Sequence, residues 1–477
     1  MSLNRLWSFL AVALPVLAAL LASLSSVDLT YSLRAGDEIL RTGAIPRVDT
    51  WTFTAAGQPW FDQQWGGQVL LEAVYRIGGW TGLAILRAAL VGVIFGSLLV
   101  IGLRRGLSPR SVALVTLAAF LVAAPALALR PQLLGMAFFA VTLLLVDDRR
   151  RRPAWLWAIP LLVVVWANVH GSFFLAPLVL GLAWLEDVAE GRAGGHRTLV
   201  VAIVSGLAAC LTPHGPAVWA YAVGLSTNPE VTRRITEWQP TSIRDGTGLL
   251  FFISLAAVVV LIARRGRVVP WPTLLWLGVF AAIGLYAQRG LAWWPLAAFV
   301  AVVGLLPQGS DRMEPQEGPT LRRLNLVVAS MLVLAAVALL PAWRPIDPGT
   351  GVPVGVLTDA PPGVTTALRE TARPGDHLFN PQPWGSWLEF AIPDVKVAID
   401  SRIEFFPAAV WNDYERVVAG VDGWQERLET WEVSIVVVQA ADDGFRERLI
   451  AAGWAETYQD NDGAVLRSPT STDAALD

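Results

Sequence analysis

Residues 82–103 read GLAILRAALVGVIFGSLLVIGL, and Arg104-Arg105 follows them directly. A helix that crosses a bilayer needs about 20 mainly apolar residues, so this stretch predicts a transmembrane helix. The composition of the whole chain agrees, because 54% of its 477 residues are hydrophobic and only 16% are charged. Soluble domains carry about 25% charged residues. The sequence therefore predicts an integral membrane protein.

Further stretches of the same kind bring the prediction to about eleven transmembrane helices. The other ten lie near residues 7–25, 111–128, 131–146, 154–169, 172–186, 198–212, 248–263, 270–287, 291–306 and 324–342. The first of these resembles a signal peptide, but the spans that follow it indicate a retained first helix. The predicted fold class is an α-helical polytopic membrane protein.

Positive charge is concentrated in alternate loops of this arrangement. If the N-terminus is cytoplasmic, the cytoplasmic loops are 104–110, 147–153, 186–197, 264–267 and 307–323, and every one of them contains arginine. Basic residues in short loops mark the cytoplasmic side of a membrane. An odd number of helices then places the region after Pro341 on the outer side. The charge pattern therefore predicts a multi-pass membrane protein with a cytoplasmic N-terminus.

Three predicted outer segments are longer than a simple turn, namely residues 25–80, 213–248 and 344–477. Long ordered loops are usually functional. In the last segment, short apolar runs typical of buried strands alternate with helical stretches, which predicts a small α/β domain. The predicted organisation is a transmembrane domain at 1–343 that includes the first two outer segments, an extracytoplasmic α/β domain at 344–467, and a disordered tail at 468–477.

Two polar loops of the predicted α/β domain follow strand ends, where α/β folds place ligands. They are Asn380–Trp387 and Asp400–Glu404. Substrate contact is one interpretation of the second loop. The alternative is an internal salt bridge between Asp400 and Arg402, because ion pairs often explain such clusters without catalysis.

The first outer segment opens with an acid, Asp28, which is followed by Tyr31 and a short helical stretch. It continues through the turn Gly57-Gln58-Pro59-Trp60 to a second helical stretch that ends at Gly78-Gly79. Further along the chain lie three short motifs, Arg130-Pro131-Gln132, Asn168-Val169-His170-Gly171 and Pro213-His214-Gly215.

This pattern resembles that of the C-type (GT-C) glycosyltransferases, polytopic enzymes that use sugars carried on polyprenyl phosphates. The resemblance is to the aminoarabinose and protein mannosyl transferase branches, and to a bacterial group of polytopic members that carries the three short motifs. It covers roughly residues 28–79 together with the general architecture. It implies a GT-C-like fold and transfer of a sugar, with inversion, to a glycan, lipid or protein acceptor at the outer face of a bacterial inner membrane.

Such a transfer needs a carboxylate base, positive charge for the departing phosphate and a groove for the lipid. The resemblance makes Asp28 the predicted base, and the alternative is an acid at a helix end that faces water. Many members have a second acid beside the first, whereas Leu29 and Thr30 follow here and the acidic pair Asp37-Glu38 lies further along the helix. The missing second acid, and the lack of a fixed-spacing metal motif, favour a reaction without a metal or another cofactor, although some members use a divalent ion.

Arginines near predicted outer helix ends are candidates for binding the phosphate. Arg130 and Arg289 lie in otherwise apolar hairpins, where a charge is costly and marks a functional site by default. Guanidinium groups suit phosphate through paired hydrogen bonds. The alternative is an arginine side chain that extends to the membrane surface.

Other polar residues in the same predicted region are candidates for binding a sugar or a pyrophosphate. Asn168, His170 and His214 fall at outer helix ends, where the alternative role is to satisfy backbone groups. Asp49 and Glu237 lie in the outer segments, and Glu237 belongs to a Trp- and Pro-containing stretch that suits a substrate-side lid or an interfacial turn.

Two other functions compete with sugar transfer. One is a transporter or flippase for a lipid-linked glycan, which buried charges at both leaflets would favour. The other is an assembly partner that keeps the fold without the catalysis. Nothing in the sequence suggests a nucleic-acid partner.

The predicted orientation is tested with reporter fusions. A reporter placed after Pro341 is expected to report an extracytoplasmic position, and one placed within 148–152 a cytoplasmic position, because basic loops stay inside. Activity from both fusions on the same side of the membrane would contradict the eleven-helix arrangement.

Overall fold

The structure is a computed structural model that describes residues 1–24, 27–192, 194–265, 269–307 and 317–469. The chain forms two compact units. One, the helical unit, consists of Met1–Ala22 and Leu83–Trp343, and the other, the mixed unit, consists of Ser23–Gly82 and Arg344–Asp477. The predicted tail lies outside the described residues from position 470 onward, as do Arg267 and positions 308–316 of two predicted basic loops.

The helices up to residue 338 are named α1–α14 in chain order. Their bounds are Leu3–Leu21, Val27–Thr42, Trp65–Arg104, Pro109–Ala123, Pro131–Asp147, Ala158–Ala167, Leu175–Ala189, Gly195–Ala208, Ala217–Thr227, Pro229–Arg234, Gly246–Arg264, Trp271–Tyr286, Trp294–Leu305 and Pro319–Ala338. Helix α3 contains a kink at Gly79, whose φ of 54° lies in the left-handed region that glycine tolerates. The kink separates the end of the first outer segment from the apolar span after it.

The apolar stretches of the sequence form helices. Each of the eleven predicted spans coincides with one of α1, α3–α8 or α11–α14. Within the described residues, seven helical segments are long and apolar enough to cross a membrane: Leu3–Leu21, Trp65–Arg104, Pro109–Ala126, Pro131–Arg150, Gly171–Ala189, Gly246–Arg264 and Pro319–Ala338. The other predicted spans are shorter; α13, for example, has 12 residues and is about 18 Å long. The chain is a polytopic helical membrane protein, and the number eleven stays a prediction.

A buried arginine donates hydrogen bonds to carbonyl oxygens at two helix ends of the helical unit. Arg87 of α3 is 5% exposed; its Nε donates to the carbonyl oxygen of Leu127 at 2.8 Å and its Nη1 to that of Ala22 at 3.1 Å. Both carbonyls lie just past helix ends, where no intrahelical donor is left. Because lipid offers such groups no hydrogen bond, the guanidinium stabilises these ends.

The mixed unit contains five further helices and the sheet. Helices α15–α19 span Pro362–Thr371, Gln382–Ala391, Ala408–Ala419, Trp424–Thr430 and Asp443–Ala451, and strands β1–β5 span His377–Phe379, Lys396–Val397, Val433–Gln439, Ala455–Gln459 and Gly463–Arg467. The strand order is β2-β1-β3-β5-β4; β1 is parallel to β2 and β3, and β5 is antiparallel to β3 and β4. A sheet-containing α/β segment was the prediction, and it is confirmed.

The first outer segment continues the sheet beyond β2. The backbone N–H of Phe53 donates to the carbonyl oxygen of Val397 at 3.1 Å, and the N–H of Val397 donates to that of Trp51 at 3.3 Å. Thr52 and Val397 form a parallel bridge. An edge strand needs such a cover, because its unpaired backbone groups otherwise invite other chains.

A buried ion cluster joins the same two pieces of chain. Arg402 Nη2 lies 2.6 Å from Asp49 Oδ1 and 2.5 Å from Asp400 Oδ2, and all three side chains are at most 2% exposed. The guanidinium carbon lies 4.7 Å and 4.5 Å from the ring centroids of Trp51 and Trp60. We call Asp49, Arg402 and Asp400 the Arg402 cluster. The Asp400–Arg402 salt bridge, one of the two alternatives above, is present.

Removal of the central charge tests this cluster. Arg402→Met leaves two buried carboxylates without their cation, which is expected to destabilise the mixed unit by about 3–5 kcal/mol. Hydrogen exchange at the amides of Phe53 and Val397 should accelerate accordingly. The matched control is Arg416→Met, whose ion pair with Asp413 is 41% exposed on the arginine side and contributes about 1 kcal/mol or less. Equal exchange in the two variants would contradict the assigned role.

Candidate functional site

The candidate site of the helical unit begins at the N-terminus of α5. Arg130 is the N-cap residue, and Pro131 occupies the first helical position, where its missing N–H costs no hydrogen bond. The Arg130 side chain is 12% exposed, and its Nη2 lies 2.9 Å from Glu237 Oε1. A largely buried guanidinium therefore lies at the positive end of a helix dipole, with one carboxylate as an ion partner.

Glu237 lies on a segment that is docked by backbone hydrogen bonds. It belongs to the 3₁₀ helix Thr236–Trp238. The N–H of Gln288 donates to the carbonyl oxygen of Gln239 at 3.0 Å, and the Arg289 guanidinium lies 5.4 Å from the ring centroid of Trp238. Burial opposes the ionisation of Glu237, but the charges of Arg130 and Arg289 outweigh it and hold the pKa of Glu237 below its ordinary value. Glu237 is thus an anion at neutral pH.

His170 is the fourth residue of this site, after Arg130, Glu237 and Arg289. Its Nδ1 lies 2.7 Å from Ser172 Oγ and accepts a hydrogen bond from the Ser172 N–H at 3.2 Å. Trp166 Nε1 donates to the same Oγ at 3.0 Å. Gly135 of α5 lies against these groups, and a Cβ there would be 2.7 Å from Ser172 Oγ. His170 is within the electrostatic reach of both Arg130 and Arg289. We call Arg130, Arg289, Glu237 and His170 the Arg130 cluster.

The Arg130 cluster has the chemistry of an anion site. Glu237 pairs with Arg130 and lies within the electrostatic reach of Arg289, so these four side chains together carry a net positive charge when the histidine is neutral. Gln132, in the first turn of α5, is 1% exposed, and its Oε1 has no hydrogen-bond partner among the described residues. Phosphate groups bind at helix N-termini and to arginine pairs because N–H donors converge there. A phosphate would compete with Glu237 for Arg130.

Two residues of the helical unit that were predicted to bind substrate, Asn168 and His214, form hydrogen bonds outside the Arg130 cluster. The Asn168 amide nitrogen donates to the carbonyl oxygens of Val164 at 2.8 Å and Leu211 at 3.0 Å, which is the helix-end role that the sequence left open. The His214 N–H donates to Thr212 Oγ1 at 3.2 Å. The structure brings Arg130, Arg289, Glu237 and His170 together, while a substrate contact of Asn168 or His214 stays a prediction.

The predicted residues of the mixed unit lie on the first outer segment. Asp28 is half-buried in the first turn of α2, and its carbonyl oxygen accepts from Ser32 Oγ at 2.7 Å. Asp49 belongs to the Arg402 cluster, and its Oδ2 accepts from the N–H and hydroxyl of Thr52 at 3.0 and 2.7 Å. The two acids of the pair Asp37-Glu38 have different partners. Asp37 pairs with Arg76 at 2.5 Å, and Glu38 accepts a hydrogen bond from Trp51 Nε1 at 2.9 Å.

Two buried acids of the mixed unit escaped the sequence reasoning. Asp62 is 3% exposed, and its Oδ1 accepts from Gln68 Nε2 at 2.9 Å. Burial raises the pKa of Asp62 to about 7. Glu389 is fully buried, with neither carboxylate oxygen hydrogen-bonded among the described residues, and burial together with Asp400 raises its pKa well above the ordinary value. The only signal in the sequence was the apolar setting of Glu389, between Leu388 and Phe390.

No cluster of three or more histidine, cysteine, aspartate or glutamate side chains that could hold a metal ion occurs within the described residues. A metal-independent reaction stays a prediction.

No protein-family model and no curated protein matches the chain. Solved structures match its fold. The archaeal oligosaccharyltransferase AglB from Archaeoglobus fulgidus, in complex with an inhibitory peptide and a dolichol-phosphate, has a TM-score of 0.55 at 12% identity, over 92% of this chain and 70% of its own. ArnT from Cupriavidus metallidurans, bound to undecaprenyl phosphate, has a TM-score of 0.52 at 15% identity, over 96% of this chain and 97% of its own.

Both neighbours have the GT-C fold. Identities of 12% and 15% establish the fold alone, since one fold can carry unrelated activities. The chain has the GT-C fold, as the resemblance predicted, and its function has to be argued from its own residues.

The raised pKa of Asp62 generates a prediction about stability. Between about pH 4 and pH 7 the unfolded carboxyl ionises while the folded one stays protonated, so stability is lost as the pH rises through this window. The shift from 3.8 to about 7 corresponds to roughly 4 kcal/mol. Asp62→Asn is expected to remove this loss, so its melting temperature should exceed that of the wild type by more at pH 8 than at pH 5.

Asp394→Asn, which changes an exposed acid of the same unit, serves as the control. A difference from the wild type that does not vary with pH would contradict the assignment.

Proposed function

We propose that this chain is a membrane glycosyltransferase that moves a sugar from a polyprenyl-phosphate donor to an acceptor at the extracytoplasmic face. The observation that carries the proposal is the Arg130 cluster, a positively charged set of side chains at a helix N-terminus within a polytopic GT-C fold. The neighbouring structures contain a dolichol-phosphate and an undecaprenyl phosphate. We extend the same class of lipid, a polyprenyl phosphate, to this chain.

The proposed reaction is a single displacement with inversion. The acceptor hydroxyl attacks the anomeric carbon, and the bond from that carbon to the phosphate oxygen breaks. The hydroxyl proton passes to a carboxylate, for which we propose Asp28, and polyprenyl phosphate leaves with the bonding electrons. Charge grows on the phosphate as it departs, so arginines stabilise the transition state more than the bound donor. This is the role that we propose for Arg130 and Arg289.

Glu237 has a defined place in this proposal. Without donor it neutralises Arg130, because a largely buried guanidinium needs an anion. When a phosphate arrives, it replaces the Glu237 carboxylate on Arg130. Lipid binding and the Arg130–Glu237 ion pair are therefore competing states of one site.

Two variants separate lipid binding from chemistry. Arg130→Ala loses a charge-assisted contact of about 1.5–3 kcal/mol, so the affinity for polyprenyl phosphate should fall about 10- to 150-fold. Asp28→Asn keeps the shape of the side chain but takes no proton, so affinity should stay near the wild-type value while turnover falls about 10²–10⁴-fold. The measurements are lipid affinity of the purified protein and release of free polyprenyl phosphate from a panel of donors.

Glu237→Gln is the matched control, because it removes the competing charge while keeping the side chain. It should bind polyprenyl phosphate more tightly than the wild type, the opposite of Arg130→Ala. Equal turnover by wild type and Asp28→Asn would rule out Asp28 as the base. Unchanged lipid affinity in a folded Arg130→Ala variant would return Arg130 to a purely structural role.

A transporter for a lipid-linked glycan is the second candidate, and charges at both ends of α5 favour it. At the end opposite Arg130, Asp147 lies 2.6 Å from Arg105, and Arg149 lies 2.9 Å from Asp187. Each of these charges has an ion partner, so pairing at the membrane surface accounts for them without a transport path. A transporter would release no polyprenyl phosphate from any donor in the turnover assay, and would move labelled lipid across proteoliposomes instead.

A further inference from the structure

The chain path through the sheet of the mixed unit creates a crevice. From β1 the chain passes through α16 to β2 on one side, and then returns through α17 and α18 to β3 on the other side of β1. The segments that follow β1 and β3 therefore diverge. In open α/β sheets, ligands bind in the crevice beyond the carboxyl ends of two strands that diverge in this way.

A cavity of about 130 Å³ occupies this position. Its walls come from the segment after β1, from the end of β3 and the segment after it, and from the inner faces of α17 and α19. The side chains that matter for its chemistry are Phe379, Gln382, Tyr414, Gln439, Asp442 and Phe445. We call it the switch-point cavity.

The inner wall is aromatic and electrically neutral. The rings of Phe379 and Tyr414 are stacked, with centroids 5.0 Å apart. The Tyr414 hydroxyl accepts from the Gln382 N–H at 3.1 Å and donates to the Asn380 carbonyl oxygen at 3.1 Å. Burial raises the pKa of Tyr414, so the phenol stays protonated. This wall offers C–H and ring surface, and no charge.

The rim is polar and open to a ligand. Gln439 is half-buried and Asp442 is exposed, and neither side chain has a hydrogen bond or an ion pair among the described residues. Asp442 is the N-cap residue of α19, yet its carboxylate does not bond to the helix backbone. One carboxylate and one amide are thus available as acceptors and donors at the mouth of a cavity with an aromatic wall.

We propose that the switch-point cavity binds one sugar ring of a glycan. Its volume of about 130 Å³ is close to the ~150 Å³ cavity that holds benzene in an engineered protein, so it has room for the face of one six-membered ring, and the hydroxyl groups of a pyranose extend through its mouth. A pyranose presents an apolar C–H face to the aromatic wall and a hydroxyl edge to Asp442 and Gln439. The carboxylate repels phosphates and other anions, and a purely apolar ligand gains no hydrogen bond from the rim groups. The subsite is separate from the proposed transfer reaction, since it requires binding without turnover.

Binding of methyl glycosides to the full-length protein in lipid nanodiscs tests the proposal by saturation-transfer NMR. A panel of methyl hexopyranosides and methyl pentopyranosides is titrated against wild type, with phenol as the aromatic probe. At least one glycoside is expected to bind with a dissociation constant on the order of 1 mM. Asp442→Ala should weaken it about tenfold or more, because a hydrogen bond to a charged group is lost.

The matched control is Asp443→Ala, which removes the neighbouring exposed acid outside the cavity wall and should bind as the wild type does. Val418→Phe fills the cavity from α17 and should abolish binding in a folded protein. Absence of binding by every glycoside, equal affinities of Asp442→Ala and Asp443→Ala, or phenol binding more tightly than any glycoside would each overturn the proposal. Loss of donor turnover in Asp28→Asn with glycoside binding intact keeps the two proposals distinguishable.

Discussion

The burial of the Arg402 charge is the constraint on which the mixed unit depends. A guanidinium that is 2% exposed needs anionic partners, and among the described residues it has two, one of them 353 positions away along the chain. Detachment of the first outer segment would take Asp49 away from Arg402. A buried charge that loses its partner costs several kcal/mol. The cluster therefore makes Ser23–Gly82 a part of the same unit as Arg344–Asp477.

Helix α2 is positioned by contacts of its own. Arg34 of α2 donates to the carbonyl oxygens of Glu389 at 2.6 Å and Pro393 at 3.3 Å, at the end of α16. Gly36 allows α2 to approach α3 closely, since a Cβ there would lie 2.6 Å from that of Glu72. Asp28, at the start of α2, is thus carried by a helix that is fixed on two sides. A proposed base on such a helix is preorganised by packing, which is what positioned proton transfer requires.

The buried arginines of the helical unit differ in how their charges are compensated. Arg87 is satisfied by carbonyls at helix ends, and Arg149 by acids, whereas Arg130 pairs with Glu237, whose carboxylate also lies within the electrostatic reach of Arg289. The four side chains of the Arg130 cluster together carry an excess of positive charge at a helix N-terminus when His170 is neutral. An anion that completes this set is favoured, and a phosphate is the anion that the neighbours of the same fold contain.

The sequence by itself determined the helices, because apolar length is a local property that a bilayer reads directly; the strands near Leu378, Val397 and Val433 follow from local pattern in the same way. It also predicted Arg130, Arg289 and His170 separately, since a polar residue in or at the end of an apolar stretch is visible in the sequence, and Glu237 from its place in a long outer segment. Only the tertiary structure decided that these four lie together, that Asp49 pairs with Arg402, and that Asp62 and Glu389 are buried. Burial and partner choice depend on segments that meet only in the folded chain, such as Asp49 and Arg402, 353 positions apart, so the sequence carried at most a local signal such as the apolar neighbours of Glu389.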